Sequence, residues 1–160
     1  MFSNFLTMTW TYQGRIVNEL SDMPDGTYGF IYKITNGHTN EYYIGKKQVI
    51  SIRKRNFGKK ESAALTDKRI KRYEMVTKES NWEKYRSSNK VVSSWFTKDG
   101  LPASIEHDRL ELKILKFCNS KKALTYYELQ EQVSHNVLAD EYSLNDNLLG
   151  KFFRKDLEIT

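Results

Sequence analysis

The stretch between residues 28 and 47 constrains the fold most, because it carries the signature of a β-hairpin. Residues 29–32 (Gly-Phe-Ile-Tyr) and 43–45 (Tyr-Ile-Gly) are short runs that contain tyrosine and β-branched residues. Residues 35–40 between them are rich in turn-forming residues and include the pair Asn36-Gly37. Strand-forming residues on either side of an Asn-Gly pair are typical of two antiparallel strands joined by a tight turn. The sequence therefore predicts a hairpin here.

The predicted hairpin brings two phenols into proximity. Folding the chain at Gly37 places Tyr32 and Tyr43 on neighbouring strands, and Lys46 and Lys47 follow at the end of the second strand. Phenol and ammonium groups side by side suggest a chemical site. However, aromatic cross-strand pairs are equally typical of packing, and lysine commonly ends a strand. The spacing alone leaves both interpretations open.

The remaining elements follow from hydrophobic periodicity. Residues 10–17 predict two strand fragments about a Gln-Gly turn, and the alternation of residues 110–118 predicts a half-buried strand. Helical spacing predicts three helices. The first runs over residues 62–75, and the second runs from Ser80 or Asn81 to the Asp99-Gly100 region. The third runs over residues 121–138 after a cap at Asn119 or Ser120.

Length and hydropathy bound the organisation of the chain. The 160 residues match one domain, which we place at residues 10–160 after a disordered lead-in over residues 1–9, with Met8 as an alternative start. No signal-peptide pattern opens the chain, and no stretch approaches the roughly 20 apolar residues of a membrane helix. We expect a cytoplasmic protein with no membrane partner.

Basic residues are concentrated immediately after the predicted hairpin. The whole chain has a net charge of +6, whereas residues 46–72 alone carry 11 basic residues against two acidic ones. Such a basic stripe could neutralise several phosphates, and its binding would weaken steeply with added salt. A solvated loop is the alternative interpretation.

Cysteine and histidine chemistry is not indicated. The single cysteine, Cys118, excludes an internal disulfide and is expected in the core, so that any metal would need oxygen or nitrogen ligands. The three histidines, His38, His107 and His135, are scattered without metal-ligand spacing.

Taken together, these features resemble the GIY-YIG nuclease superfamily. Residues 29–32 and 43–45 match its two namesake motifs, with Phe30 as a mild departure from the commonest form of the first motif. The pieces at residues 82–89 and 126–132 extend the resemblance to small phage-encoded homing endonucleases of this superfamily, over roughly residues 10–150.

The resemblance implies an α+β fold, with a small, mainly antiparallel sheet flanked by helices. It also implies that the chain hydrolyses phosphodiester bonds of double-stranded DNA with one divalent metal, and no protein partner is evident. Glu128 would hold Mg²⁺, with Mn²⁺ as the alternative and Glu131 as the rival ligand. One of Tyr32 and Tyr43 would deprotonate or orient the attacking water, and the other would hold the phosphate or the water network.

The resemblance also implies further site residues, and for some family positions it offers more than one candidate. Lys46 matches a lysine of some restriction-type relatives, and the family arginine would fall on Arg53 by spacing or on Arg86 by its predicted helix. The late asparagine of the family would fall on Asn145, with Asn147 as the alternative. The expected DNA contacts are Lys47, Arg55, Lys59, Lys60 and Arg86.

Acid–base chemistry sets a condition on the tyrosines. A free phenol has a pKa near 10, so a tyrosine base working at pH 7 needs its pKa lowered by about 3 units, or roughly 4 kcal/mol. Lys46, Lys47 and the bound metal were the expected sources of that field. The alternative function is a non-catalytic nucleic-acid-binding module on the same scaffold.

Overall fold

A computed structural model describes residues 8–157 of the chain. Nine strands and three α-helices follow one another in this range. The strands are β1 (Trp10–Tyr12), β2 (Arg15–Val17), β3 (Gly29–Asn36), β4 (Tyr42–Gln48), β5 (Ile50–Asn56), β6 (Tyr73–Glu79), β7 (Leu110–Cys118), β8 (Asn147–Leu148) and β9 (Phe152–Phe153). The helices are α1 (Lys59–Ala63), α2 (Lys90–Ser94) and α3 (Lys121–Ser134), and short 3₁₀ turns lie at Leu20–Asp22, Ile105–His107 and Arg154–Leu157.

A five-stranded sheet in the order β2-β1-β7-β3-β4 organises the molecule. All its pairs are antiparallel except β1 with β7. The predicted hairpin is confirmed as β3 and β4, and the predicted strand at residues 110–118 is confirmed as β7. The architecture is α+β with a mainly antiparallel sheet, as predicted.

Both faces of this sheet are buried. One face packs Phe30, Tyr32 and Ile34 of β3 against aromatic residues that include Trp10 and Trp82. The other face carries Ile31 and Ile44 and is covered by α3 through Leu124, with Val137, Leu138 and the buried Cys118 completing that cluster. Because the side chains of a strand alternate between faces, successive residues of β3 and β4 contribute to different cores.

Strand β4 lies at the edge of the sheet, and the C-terminal part of the chain covers it. The Tyr42 backbone N–H donates to the Tyr142 carbonyl over 2.9 Å, and the Leu144 N–H donates to the Tyr42 carbonyl over 2.8 Å. This segment satisfies backbone groups that an open edge would leave unpaired. It also brings residues 143–147 beside the tyrosine motif of β4.

The basic segment forms a β-ribbon, so the prediction of a helix over residues 62–75 is wrong. β5 and β6 pair antiparallel as a two-stranded sheet of their own, with Ile50 opposite Glu79 and Asn56 opposite Tyr73. The connection between them holds only the short helix α1. Arg72 organises this connection because its guanidinium donates to the carbonyls of residues 65, 67 and 70.

The predicted helix from residue 80 to residue 99 is also wrong, since only α2 is α-helical there. The apolar residues of the pattern are nevertheless buried, as Trp82, Val92 and Trp95 show. Ser87 has φ = 82°, a left-handed conformation that a continuing right-handed helix does not allow. The sequence periodicity therefore identified the core residues but not the backbone that carries them.

The predicted disordered lead-in falls largely outside the described residues. Of its described part, Met8 packs against the core, and the Thr9 hydroxyl contacts the Val17 carbonyl at 3.4 Å. Among the helices of residues 8–157, none is long and apolar enough to cross a membrane.

Candidate functional site

A cleft of about 170 Å³ lies at the edge of β4, where the two faces of the sheet meet. It is lined by Tyr43, Glu128, Gln132, Asn145, Asp146, Asn147 and Leu149. Tyr43 reaches it from the face of the aromatic core, whereas Glu128 reaches it from α3 on the opposite face. The edge position of β4 makes this possible, because no further strand separates the two sides. The cleft therefore combines a phenol, two carboxylates and several amides.

Gly45 explains how two tyrosines fit on one side of β4. It stands opposite Tyr32 in the register, and a Cβ at this position would meet the Tyr32 Oη at 2.6 Å and the Tyr43 Cε1 at 2.8 Å. The rings of Tyr32 and Tyr43 have their centroids 6.3 Å apart, as the prediction of a shared surface required. Tyr32 is only 1% exposed and does not line the cleft, so it supports Tyr43 from behind.

Both phenols have raised pKa values in the metal-free protein, whereas a tyrosine base would need its pKa lowered. Burial raises the pKa of Tyr43 to about 12, and the Glu128 carboxylate adds to the effect. Burial also raises the pKa of Tyr32 well above its usual range, with Tyr85 as the next cause. Lys46 and Lys47 therefore do not supply the field that a phenolate needs. In the metal-free protein both side chains are protonated phenols at neutral pH.

Helix α3 places Glu128 beside β4. Ser120 caps the helix, its hydroxyl accepting from the Ala123 N–H over 3.1 Å, which confirms one of the two predicted caps. Lys46 Nζ lies 3.5 Å from Glu128 Oε1 and donates to Thr125 Oγ1 over 3.1 Å. Burial raises the pKa of Glu128, and Lys46 opposes that rise. The carboxylate is thus largely desolvated, and one ammonium group offsets only part of this effect.

The donor set of the cleft suits a hard divalent cation. Glu128 and Asp146 offer carboxylate oxygens, and Asn147 offers an amide oxygen within the same cleft. Mg²⁺ prefers oxygen ligands and commonly binds through one or two carboxylates while retaining several waters. No group of three or more His, Cys, Asp or Glu side chains in residues 8–157 forms a closed metal cage. The residues fit a water-rich, carboxylate-held metal.

Glu131, the rival ligand, lies elsewhere. Its carboxylate is 3.5 Å from His135 Nδ1, one turn along the same helix, and it does not line the cleft. The geometry favours Glu128 over Glu131.

Asn145 is buried and completes the edge of β4. Its side-chain Oδ1 accepts from the Ile44 N–H over 3.0 Å, and its Nδ2 donates to the Ile44 carbonyl over 2.8 Å. This side chain pairs with the strand as another backbone would, directly beside Tyr43. Asn147, the alternative, also lines the cleft, and its Oδ1 accepts from the Gly150 N–H over 2.9 Å.

Lys47 lies on the aromatic side of β4. Its Nζ donates to Asn81 Oδ1 over 3.0 Å and stands 4.3 Å from the centroid of the Tyr85 ring. Burial lowers the pKa of Lys47. Lys46 and Lys47 therefore bracket the end of β4 from opposite faces.

Four basic residues of the prediction lie on the ribbon and α1, away from the cleft lining. Arg53 stands on β5 opposite Val76, so the structure does not bring this predicted catalytic cation into the cleft. Arg55 is held by Glu61 and Glu74 at 2.8 and 2.7 Å. Lys59 and Lys60 are exposed on α1.

Arg86 is a structural residue in this conformation. It is 7% exposed, and its guanidinium donates to the carbonyls of Gly100, Glu83, Tyr85 and Met8. Burial lowers its pKa to about 10. This placement disagrees with the expectation that Arg86 contacts DNA, because the guanidinium is buried and already donates to four backbone carbonyls.

Sequence reasoning missed two residues of the site. Gln132 is buried, and its Nε2 donates to the Ile44 carbonyl over 3.1 Å. The position of Gln132 four residues after Glu128, on the same helix face, was the available signal. Tyr85 packs on Tyr32 with ring centroids 6.1 Å apart, and although it lies in the matched piece at residues 82–89, no role was predicted for it.

A family model described as "Putative endonuclease segE, GIY-YIG domain" matches residues 10–153, which includes every residue of the cleft. No curated protein and no solved structure matches the chain.

Proposed function

This chain belongs to the GIY-YIG endonuclease family, and from that premise we propose that it is a metal-dependent nuclease that hydrolyses phosphodiester bonds of double-stranded DNA. The observation that carries the proposal is the cleft at the edge of β4, where Glu128, Tyr43 and Asn145 meet. Within the same proposal the protein acts on a chosen site as a phage homing-type endonuclease.

Glu128 holds the metal in this proposal, with Mg²⁺ as the expected ion and Mn²⁺ as the alternative. When bound, such an ion supplies Lewis-acid polarisation of the phosphate and lowers the pKa of a coordinated water. In the metal-free cleft, Lys46 Nζ lies 3.5 Å from Glu128 Oε1 and partly offsets the charge of that carboxylate. In the proposal, the Lys46 side chain turns from Glu128 toward the phosphate of the bound DNA. Its ammonium then stabilises negative charge that develops on the phosphate oxygens.

Tyr43 acts as a protonated phenol. Since burial raises its pKa to about 12, its hydroxyl at neutral pH orients the attacking water or donates to a phosphate oxygen. Tyr32 holds the ring of Tyr43 from the aromatic core, and Gly45 leaves the space that both rings need. Asn145 fixes the backbone of β4 at Ile44, next to Tyr43. We propose positioning roles for Tyr32 and Asn145.

DNA contacts in the proposal come from exposed cations outside the cleft. Lys59 and Lys60 on α1 and Arg53 on β5 present charge to the backbone, and Lys47 extends this surface to the end of β4. Arg55 contributes through its network with Glu61 and Glu74 mainly by holding α1 against the ribbon. Salt should weaken binding through these contacts.

The test compares Glu128→Gln with Glu131→Gln, which removes the same charge from the same helix one turn away. The purified proteins are incubated with phage and host duplex DNA, with Mg²⁺, Mn²⁺ or a chelator, and the resulting ends are sequenced. We expect Glu128→Gln to slow cleavage by at least about 100-fold, the scale of one lost electrostatic catalytic group, and Glu131→Gln to retain it. Undiminished cleavage by Glu128→Gln would refute the assignment. DNA binding without cleavage by the unaltered protein would instead identify a non-catalytic module.

A further inference from the structure

The β5–β6 ribbon is a separate structural unit with a fixed base. Only Val49 lies between β4 and β5, and it is fully buried in the aromatic core. The Ser80 N–H donates to the Val49 carbonyl over 2.7 Å, and the Ser80 hydroxyl donates to the Gln48 carbonyl over 2.6 Å. These bonds close the ribbon where it leaves the core. Its direction is therefore fixed relative to β4, which carries Tyr43.

The two faces of the ribbon differ. One face carries Arg55, which is ion-paired with Glu61 of α1 and with Glu74. These ion pairs cover this face at the end of the ribbon that is distant from the core. The other face carries Ile52, Lys54, Tyr73, Met75 and Thr77, as strand alternation and the register require.

The second face is apolar and cationic together. Ile52 is 50% exposed and Met75 is 59% exposed. Lys54 Nζ stands 4.0 Å from the centroid of the Tyr73 ring, and Lys71 Nζ stands 5.4 Å from the same centroid. We call the surface formed by Ile52, Lys54, Tyr73, Met75 and Thr77 the reading face.

Charge and dimensions identify the occupant of the reading face. Residues 51–78 carry ten basic and three acidic side chains, a net charge of +7 that exceeds the +6 of the whole chain. Each seven-residue strand is about 23 Å long at ~3.3 Å per residue, which spans roughly seven base pairs of B-DNA at ~3.4 Å each. The B-DNA major groove, about 12 Å wide, admits a two-stranded β-ribbon.

We propose that the β5–β6 ribbon enters the major groove of duplex DNA with the reading face toward the bases and selects the sequence that is cut. Ile52 and Met75 contact thymine C5-methyl groups, and Lys54 donates to guanine acceptors. The basic connection around α1 contacts the flanking phosphates. This inference rests on the proposed function for the identity of the substrate, and it assigns sequence choice to a surface outside the cleft.

The test measures binding, so that it does not depend on cleavage. Full-length protein carrying Glu128→Gln is equilibrated with a randomised DNA duplex library, and the bound fraction is sequenced. Lys54→Ala and Met75→Ala are then added singly. Lys78→Ala is the matched control, because it removes the same charge as Lys54→Ala from the same ribbon, and Lys78 lies opposite Ser51 on the other face.

We expect Lys54→Ala and Met75→Ala to lose about 10-fold of the discrimination at one or two base pairs, the scale of a good base contact. Lys78→Ala should weaken binding to all sequences alike. Replacing thymine by deoxyuridine in the selected site removes only the C5-methyl group, and it should weaken binding of the Glu128→Gln protein but not of its Met75→Ala derivative. Duplex RNA should not be selected, because its major groove is too deep and narrow for side chains to read.

Three results would overturn the inference: no enrichment of any sequence, an unchanged preference in both reading-face variants, or the same change of preference in Lys78→Ala. Circular dichroism confirms that each exposed-site variant is folded. Cleavage by the unaltered protein with unchanged preference in the variants would refute the inference and leave the proposed function intact. Altered preference without any cleavage would support the inference and refute the nuclease.

Discussion

Burial of the Glu128 carboxylate lowers the stability of the fold, at a position to which we assign a chemical role. Its carboxylate is largely removed from water, and the single ammonium of Lys46 at 3.5 Å does not fully offset this desolvation, so the pKa of Glu128 is raised. The metal-binding role proposed for Glu128 requires an ionised carboxylate at neutral pH, whereas burial in the metal-free protein shifts this group toward its protonated form. Replacing the Glu128 carboxylate by the neutral amide of glutamine removes the cost of burying this charge.

Glu128→Gln is therefore expected to raise the free energy of unfolding at pH 7. A pKa raised by folding contributes stability below the unfolded value, and this contribution is lost as pH rises through the folded pKa. The unaltered protein should thus lose stability relative to the variant as the pH rises above about 4, the ordinary pKa of a glutamate. We expect a gain of about 0.5–2 kcal/mol at pH 7, the common range for one stabilising substitution, measured by denaturant unfolding.

The control for this prediction is Glu131→Gln, which alters a carboxylate 3.5 Å from His135 and outside the cleft. The difference between Glu128→Gln and the unaltered protein should shrink toward zero below pH 4. A Glu128→Gln variant that is less stable at pH 7, or a gain that is independent of pH, would contradict the account of a desolvated carboxylate.

At the scale of elements, the ribbon to which we assign DNA binding is built from different segments than the cleft to which we assign the chemistry. The hydrogen bonds of Ser80 to Gln48 and Val49 close the chain below β5 and β6. The five-stranded sheet, α3 and the cleft are built from other segments. The ribbon is thus a removable unit, although it interrupts the chain between β4 and the buried Trp82.

Excision of residues 51–78, with Ile50 and Glu79 joined through an Asn-Gly turn, should leave a folded protein. The deletion removes a net charge of +7, which changes the whole chain from +6 to −1. Duplex binding should weaken, and the slope of log K against log salt should become shallower by at least about 2, since each lost phosphate contact contributes roughly 0.9. Fluorescence titration over a range of salt concentrations measures this slope. An unchanged slope in a folded deletion variant would contradict the assignment of these contacts.

The elements also show which parts of the fold the sequence could predict. The hairpin and β7 were predictable because their signals are local: an Asn-Gly turn in one case and the alternation of residues 110–114 in the other. The ribbon was not, because β5 and β6 pair across a connection of 16 residues and neither strand has an alternating pattern. The prediction of a helix around Arg86 was wrong, because the Arg86 guanidinium donates to the Glu83 and Tyr85 carbonyls and the backbone turns at Ser87.

The site was predictable to a similar extent. Tyr32, Tyr43 and Glu128 were predicted from their motifs, and the structure brings Tyr43 and Glu128 to one cleft. The raised pKa values of the phenols were not predictable, because they depend on burial that motifs do not report. Gln132 and the exact partners of Asn145 depend on β4 being an edge strand, which is a property of the sheet order.

At the scale of the whole molecule, the cleft joins segments that are far apart in the chain. β4 contributes from the first third, and α3 and residues 143–147 contribute from the last third. Arg154 holds the late segment in place, since its guanidinium donates to the carbonyls of Asp140, Val137, Ser143 and Asn145 over 2.8–3.0 Å. The geometry of the cleft therefore depends on a residue outside it.

Arg154→Lys should loosen this segment while preserving the charge. A single ammonium cannot span four carbonyls, and leaving buried acceptors unpaired costs about 1–3 kcal/mol. We expect the free energy of unfolding to fall by that amount and cleavage to fall with it. Hydrogen exchange gives the specific readout: the amides of Tyr42, Ile44 and Leu144, which bond across the β4 edge, should exchange faster.

The matched control is Arg15→Lys, the same substitution at an exposed arginine. The guanidinium of Arg15 stacks on the Tyr12 ring. Amides that pair β3 with β7 report on the sheet, and they should be protected equally in both variants if Arg154 acts only on the edge. Faster exchange throughout the sheet would mean that Arg154 supports the whole fold. Unchanged exchange at Ile44 with reduced cleavage would instead mean that Arg154 acts on the substrate, which would contradict its role as the link between the two ends of the cleft.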